Sequence, residues 1–551
     1  MSRYVPSWCL PVVVAIVLSA QASALDLAAD AVDAGYLWGL GITGSGVEMA
    51  VVDVFAADGT HPAISGNFLG AFNFAVGPTF VSDHATAVAG AAASTNPTYT
   101  GVAPGTGLWS GQTTNRGTIT KTRNQTVAAE TFAQGLGGLN GNPAEIITMS
   151  ISMGGATHGL DQWSLGLDHI VDTNGAVVTV AAGNGGPGGG TLAGLPSGAY
   201  NVITVGATGG TGQDVSEDYG QMAPYSSRGP TADGRSKPDI VAPGSQIVLP
   251  TLHGLWGEGS GTSFATPIVA GGAALLVDMG RQLGHTTDPR VVKSVLLNSA
   301  TKLPGWSHTP SEPLDPAQGA GQMNLWSAHR QYLSAEQDAG AVSGIGWDLG
   351  AISGPDETFY CLDLPAPAGA VITATLAWNR TVTTDSEDID KVVYSADPLA
   401  DLDLKLYLGD DPVYPVDVSV SAIDNLEHVY FTVSEPGQYV LGVSSEAAAA
   451  AGYALAWSIG PGPGLDLAGD ANLDGIVGIA DLVALAEHYG LTDTVWFDGD
   501  FNADGLVGVA DLVALADHYG AKAGTVAVPE PAALALLGAW APAALRRKRS
   551  G

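Results

Sequence analysis

The sequence predicts three folded units in series: an α/β domain on a parallel sheet, an all-β sandwich, and a small α module built on a duplicated loop and helix. Three observations predict them. From Leu25 to about Ala335, short apolar runs bounded by Gly, Asp, Asn or Ser alternate with longer stretches of helical period, the pattern of parallel strands covered by helices. Beyond about Gly340 the apolar residues alternate or nearly so between turns such as Glu435-Pro436-Gly437, as in antiparallel sheets. The segment Gly469–Asp481 then recurs as Gly499–Asp511, each copy running into leucines that share one helical face.

Composition bounds the function. A chain of 551 residues is long enough for several domains. A formal net charge of −34 argues against nucleic acid or an anionic membrane as partner of the main body. The first residues read as a signal peptide over 1–24: Arg3, an apolar stretch from Leu10 to Leu18, and Ala22-Ser23-Ala24 as a small-residue cleavage site. Of the two cysteines, Cys9 falls in that leader. Cys361 is left alone and reads as a buried thiol, so no internal disulfide is expected.

In the α/β unit, residues 25–335, the predicted strands are Val47–Val52, Ile146–Ile151, Ala176–Ala181 and Val202–Val205, with a helix over Asp161–Asp172. Active groups in such sheets gather beyond the carboxyl ends of the strands. Asp53 ends the first strand, a place also suited to a helix cap or turn. His84 opens His84-Ala85-Thr86-Ala87-Val88-Ala89-Gly90, a small-residue run suited to a tightly packed helix. Asn184 follows Val177–Gly183, where a turn residue also fits. Ser263 lies in Ser260-Gly261-Thr262-Ser263-Phe264-Ala265-Thr266-Pro267, ahead of an apolar helical run from Ile268 to Val277. A hydroxyl at a helix N-terminus sits among orphan N–H groups and the positive end of the dipole. That environment favours the oxyanion left when a serine attacks a carbonyl.

Taken in order, Asp53, His84, Asn184 and Ser263 resemble the subtilisin-like serine proteases, or subtilases. The supporting motifs are Gly44-Ser45-Gly46-Val47, Gly59-Thr60-His61-Pro62, Gly101-Val102-Ala103-Pro104, Ser150–Gly155, Tyr225–Pro230 and Lys237–Gly244. The acid–base–nucleophile order is the subtilisin one. The resemblance implies a subtilisin-like parallel-sheet fold with Ser263 as nucleophile, His84 as base and Asp53 as its orienting acid. Asn184 and the Ser263 N–H would form the oxyanion hole. Ser152, Met153 and Gly154 would pair with an extended peptide substrate. No cofactor is implied for catalysis. Two departures stand out: Asp53-Val54-Phe55 replaces the family's Asp-Thr-Gly or Asp-Ser-Gly, with Asp58 as the alternative acid, and His84-Ala85-Thr86-Ala87 lacks the family's second histidine. The stretch between Ala24 and Asp53 is too short for the family's usual propeptide domain.

Residues 340–460 form the predicted sandwich, with strands at Val371–Trp378, Leu402–Tyr407, His428–Val433 and Tyr439–Val443. Residues 461–468, with Pro461-Gly462-Pro463-Gly464, read as a linker. In 469–520 the two loops place Asp470, Asn472, Asp474 and Asp481, then Asp500, Asn502, Asp504 and Asp511, at positions one, three, five and twelve, with glycine at six. That is the oxygen-ligand spacing of an EF-hand Ca²⁺ loop. The duplicated loop and helix resemble a dockerin domain, whose partner would be cohesin-like. Positions ten and eleven, Ile479-Ala480 and Val509-Ala510, lack the hydroxyl residues usual in cellulosomal dockerins. Residues 528–551 comprise Val528-Pro529-Glu530-Pro531, an apolar run from Ala532 to Leu545, and Arg546-Arg547-Lys548-Arg549. They resemble the bacterial Pro-Glu-Pro (PEP-CTERM) sorting signal handled by an exosortase, with a short transmembrane segment. As a helix the run spans about 21 Å against a hydrocarbon core of about 30 Å, so a transient anchor is expected. The whole reads as a secreted or cell-surface serine endopeptidase acting on proteins or peptides. The alternative is a surface adhesion protein whose protease domain binds peptides without cutting them.

Overall fold

A computed structural model describes residues 24–521, except 76, 115–121, 136–140, 211–218, 364, 387–391, 410–412, 446–449, 462–468, 472–475, 492–493, 495 and 502–505. The predicted signal peptide (except Ala24), all but Pro461 of the linker, the sorting tail and the loop ligands Asn472, Asp474, Asn502 and Asp504 lie outside the described residues.

The first unit is a parallel sheet of seven strands: β1 (Glu48–Asp53), β2 (Phe68–Asn73), β3 (Gly107–Gln112), β4 (Ile146–Met149), β5 (Val177–Ala181), β6 (Ile203–Thr208) and β7 (Ile240–Pro243). Their order is β2-β3-β1-β4-β5-β6-β7. From β1 the chain goes to the edge at β2, returns to β3 beside β1, and then builds outward on the other side from β4 to β7. β1 shows why the sheet needs helices on both faces: Met49 and Val51 enter one core, Ala50 and Val52 the other. The helices are α1 (Ala24–Asp30), α2 (Ala34–Gly39), α3 (Asp83–Ala93), α4 (Thr122–Ala133), α5 (Gln162–His169), α6 (Thr262–Leu283), α7 (Pro289–Asn298) and α8 (Leu325–Leu333). Residues of α3, α6, α7 and α8 share a core with Met49 and Val51, while those of α4 and α5 join Ala50 and Val52. The helix predicted over Asp161–Asp172 is α5 continued by a π turn at Ile170–Asn174. Between β7 and α6 runs an antiparallel hairpin, β8 (Ile247–Thr251) and β9 (Leu255–Gly259).

α6 is the axial helix. It is apolar and long enough to cross a bilayer, but it is almost wholly buried in protein. Pro267 lies inside it and has no N–H to give to the Ser263 carbonyl four residues back. That carbonyl accepts the Ser150 hydroxyl at 2.7 Å instead. The proline thus frees one backbone acceptor beside the candidate nucleophile, and a side chain from beyond β4 takes it.

The second unit contains β10 (Gly340–Val342), β11 (Ile345–Asp348), β12 (Ala351–Ile352), β13 (Thr358–Leu362), β14 (Ala370–Trp378), β15 (Val382–Thr384), β16 (Tyr394–Ala396), β17 (Leu402–Leu408), β18 (Pro415–Ser419), β19 (Leu426–Thr432), β20 (Tyr439–Ser445) and β21 (Ala451–Pro461). One sheet has the order β10-β13-β20-β17-β18 and the other β11-β21-β14-β19, with β12 also on β21. Both contribute to one core around Tyr360, Trp378 and Trp457. Pairing is antiparallel except β10 with β13. One expectation fails here. Cys361 is an exposed thiol, not a buried one, because strand alternation turns Tyr360 and Leu362 inward and the residue between them outward. Asp403 on β17 is buried, 3.3 Å from Lys405 Nζ.

The sandwich is fastened to the first unit. The Asn298 side chain at the end of α7 accepts the hydroxyls of Thr373 (3.1 Å) and Thr375 (3.2 Å) on β14. Asp424 Oδ1 accepts the Ser236 N–H at 2.9 Å. In the last module α9 (Ile479–His488) and α10 (Val509–His518) follow the two loops. A Cβ on Gly469 would lie 3.0 Å from the Leu515 Cα, and one on Gly499 2.7 Å from the Leu485 Cα. Each loop's leading glycine thus lets the other copy's helix approach.

Candidate active site

Asp53 is the last residue of β1, the strand where the sheet order reverses. Ligand crevices in open α/β sheets form at that position. Its side chain is buried. Oδ1 accepts the Val54 N–H at 2.5 Å, and Oδ2 accepts Nδ1–H of His84 at 2.7 Å. The Val54-Phe55 departure is accommodated locally: Val54 N–H orients the carboxylate, and Phe55 packs edge-on against Phe80. Asp58 turns elsewhere and accepts the N–H and hydroxyl of Thr60. His84 is therefore brought to Asp53 and not to the alternative acid.

His84 stands in the first turn of α3, whose N-cap is Ser82; the Ser82 hydroxyl accepts the Ala85 N–H at 3.1 Å. Burial works against the imidazolium, but the hydrogen bond and the charge of Asp53 outweigh it, and the His84 pKa is raised above its ordinary value. With Nδ1 committed to Asp53, Nε2 is the nitrogen available for proton transfer. The Phe264 ring lies 5.9 Å from the imidazole, centroid to centroid, which puts the nucleophile loop beside the base.

Ser263 is half-buried in the first turn of α6. Its hydroxyl makes a long contact, 3.4 Å, to the Ser150 carbonyl and no hydrogen bond to His84. Hydroxyl–base contacts of this kind are often loose without substrate. Asn184 is exposed just beyond β5. Its Oδ1 accepts both the N–H (2.9 Å) and the hydroxyl (3.1 Å) of Thr262. The amide is thereby oriented with Nδ2 as the unused donor. The Thr262 hydroxyl also accepts the Gly183 N–H at 3.1 Å, tying the end of β5 to the start of α6.

Met153 exchanges both backbone hydrogen bonds with Leu195, at 2.9 and 2.8 Å. Ser152 and Gly154 on either side are exposed and, among the described residues, make no backbone hydrogen bonds. They form a short free edge onto which an extended chain can add. Thr262, Ser150 and Leu195 are site residues to which the sequence assigned no role. The first two lie inside motifs read there, but a hydroxyl's partner sixty or more residues away leaves no trace in local spacing.

The described calcium-loop residues Asp470, Asp481, Asp500 and Asp511 are all buried. Asp481 accepts the N–H groups of Ala471 (2.8 Å) and Gly478 (2.7 Å), and Asp511 does the same for Phe501 and Gly508, each at 2.8 Å. These twelfth-position carboxylates close their loops and cap their helices. Among the described residues no group of three or more His, Cys, Asp or Glu could hold a metal ion.

Comparison with known proteins identifies the family. The subtilase family model matches residues 44–321. Pyrolysin of Pyrococcus furiosus is 37% identical over 205 residues, covering 33% of this chain and 14% of that protein. Serine protease AprX of Bacillus subtilis is 33% identical over 303 residues, covering 47% and 62%. Subtilisin of Bacillus pumilus is 33% identical over 249 residues, covering 43% and 78%. The chain spans less than two thirds of pyrolysin and of AprX. Half of it matches the family model, and most of the length of a subtilisin is covered, so the chain belongs to the subtilase family.

Proposed function

We propose that the chain is a serine endopeptidase that hydrolyses peptide bonds in proteins. The observation that carries this reading is the 2.7 Å hydrogen bond between His84 Nδ1 and the buried Asp53, at the sheet's reversal point and beside the helix whose first turn carries Ser263. In the proposed mechanism a peptide adds to the free edge at Ser152 and Gly154, and the scissile carbonyl sits before Ser263. His84 Nε2 takes the Ser263 proton as Oγ attacks, and the imidazolium that forms is stabilised by Asp53. The Asn184 Nδ2 and the Ser263 N–H donate to the oxyanion, helped by the positive end of α6. His84 then returns the proton to the leaving amine, and water repeats the sequence to free the acyl group.

The second reading, a peptide-binding surface protein that does not cut, is favoured by one observation: the Ser263 hydroxyl faces the Ser150 carbonyl and not His84. Digestion of casein by the purified chain separates the two. Hydrolysis abolished by Ser263→Ala supports the peptidase; binding of peptide with no Ser263-dependent hydrolysis supports the other.

The remaining modules extend the proposal. Residues 1–24 direct export. The loops at 469–520 hold Ca²⁺, which takes carboxylate and amide oxygens; the buried acids Asp470 and Asp500, with Asp481 and Asp511 closing the loops, suit such a donor set. Asn472, Asp474, Asn502 and Asp504 would complete it. A cohesin-like partner and an exosortase-type transpeptidase acting near Pro531 are the corresponding partners. Mass spectrometry of cell-surface protein tests the last point: a C-terminus near Pro531 supports processing, and an intact Arg546–Arg549 segment refutes it.

A further inference from the structure

The β8–β9 hairpin bridges the nucleophile loop and the helix that carries the base. Its base closes at the serine loop, where Gly261 N–H bonds the Gly244 carbonyl and Gln246 N–H bonds the Ser260 hydroxyl, both at 2.8 Å. Its flank lies on α3 so closely that a Cβ on Gly90 would sit 2.2 Å from Pro250. Its tip, Leu252–Gly254, turns through His253 at φ 63°, ψ 27°. That left-handed conformation is uncommon for a non-glycine residue. Three contacts hold this tip, one of them the Asp58 carboxylate, which accepts the His253 backbone N–H. The buried His61 accepts the Ala63 N–H at Nδ1 and donates from Nε2 to the Leu255 carbonyl at 3.0 Å. Asp83 Oδ1 accepts the Leu252 N–H at 2.7 Å. Asp83 is the residue immediately before His84.

We propose that Asp83 is a positioning residue, whose carboxylate sets the hairpin tip, and through it the Ser263 loop, against the helix that carries His84. The proposal rests on the serine-peptidase reading. Asp83 touches neither reacting group; it acts by fixing the distance between the two chain segments that bear them. The need for such a gauge is visible in the site, since Ser263 rests against Ser150 and must meet His84 for proton transfer. Near-attack geometry is sensitive to displacements of about 1 Å. A plainer role is available to an acid in a helix's first turn, namely favourable interaction with the dipole. The two roles separate chemically. Asparagine keeps an oxygen that accepts the Leu252 N–H and loses the charge that the dipole role needs.

The test uses the full chain as wild type, D83A and D83N, with Ser263→Ala as the activity control. Peptide hydrolysis is read as separate kcat and KM, and amide hydrogen exchange is followed over residues 252–263. D83A is expected to lower kcat roughly tenfold with KM changed less than about twofold, and to speed exchange at Leu252 and through the serine loop. D83N is expected to restore most of kcat and the slow exchange. Unchanged exchange over 252–263 in D83A overturns the proposal whatever the turnover. D83N as impaired as D83A overturns it in favour of the helix-end charge. A wild type without Ser263-dependent hydrolysis overturns the peptidase reading instead, and leaves the exchange comparison to decide the role of Asp83.

Discussion

Thr262→Val tests how the oxyanion donor is aimed. The substitution is nearly isosteric, so it opens no cavity at a position only 1% exposed. It removes one hydroxyl with two duties: donation to Asn184 Oδ1 and acceptance from the Gly183 N–H. Asn184 keeps its other bond, from the Thr262 backbone N–H at 2.9 Å. Losing one neutral hydrogen bond is worth about 1 kcal/mol of orientation, which converts to a fall in kcat of roughly fivefold. Removing the donor altogether, as Asn184→Ala, is expected to cost about 10²–10³-fold, a magnitude measured in subtilisin itself and not worked from this structure. Stability suffers separately, because the buried Gly183 N–H is orphaned at a cost of about 1–3 kcal/mol. Thr262→Ser retains the hydroxyl and controls for the lost methyl. Steady-state hydrolysis of a chromogenic peptide gives kcat, and urea unfolding of the Ser263→Ala background gives stability. Wild-type kcat in the valine variant, alongside a large loss in Asn184→Ala, would show that the backbone N–H alone aims the amide.

Three further outcomes are expected. The pH profile of kcat/KM should climb through a value above the ordinary 6.5 of histidine, because the raised His84 pKa keeps the base protonated to higher pH; the stabilisation from this pair is complete below 6.5 and fades as pH rises through the folded value. In Asp53→Asn burial acts unopposed, so that limb should move to lower pH while kcat falls by about 10⁴-fold, as in subtilisin; an acid limb at unchanged pH would break the assignment. Burial pushes the Asp424 carboxyl up to about 6 from 3.8, so its stabilising contribution is present below about pH 4 and lost as pH rises through 6, by at most about 3 kcal/mol; Asp424→Asn should remove that decline in urea unfolding between pH 4 and 8, and parallel curves for the two proteins would refute it. In the Ser263→Ala protein, Ca²⁺ should slow amide exchange in α9 and α10, and identical exchange with Ca²⁺ and with chelator would remove the metal from 469–520.

The α/β unit was legible because its candidate site lies at strand ends and helix starts, which local sequence marks well. Asp53 closes an apolar run, and His84 and Ser263 open helices whose small or apolar residues follow at once. The hairpin tip and the Thr262–Asn184 pair were not legible, since each depends on where a distant backbone falls. In the second unit, Val371–Trp378 and Leu402–Tyr407 were found within a residue or two. β21 was missed: its sequence, Ala-Gly-Tyr-Ala-Leu-Ala-Trp-Ser-Ile-Gly-Pro, opens on small residues and does not alternate polar with apolar.

That missing alternation has a structural cause. Tyr453, Leu455, Trp457 and Ile459 point into the sandwich core, while Ala454 and Ala456 join the core of the α/β unit. β14 repeats the arrangement, with Ile372, Ala374, Leu376 and Trp378 inward and Thr373 and Thr375 bonded to Asn298. Both strands are therefore buried on two faces, and a strand in that position carries no polar face to betray its period. The residues turned toward α7 are Ala and Thr, small enough for a helix to lie close, and the threonine hydroxyls donate to the Oδ1 of its terminal Asn298. A pendant sandwich would present charged or large polar side chains there. The outer face of this sheet is built as an interior surface, so the unit bearing Ser263 and the sandwich share a boundary that neither can expose without leaving apolar strands and the buried Asn298 and Asp424 contacts in water.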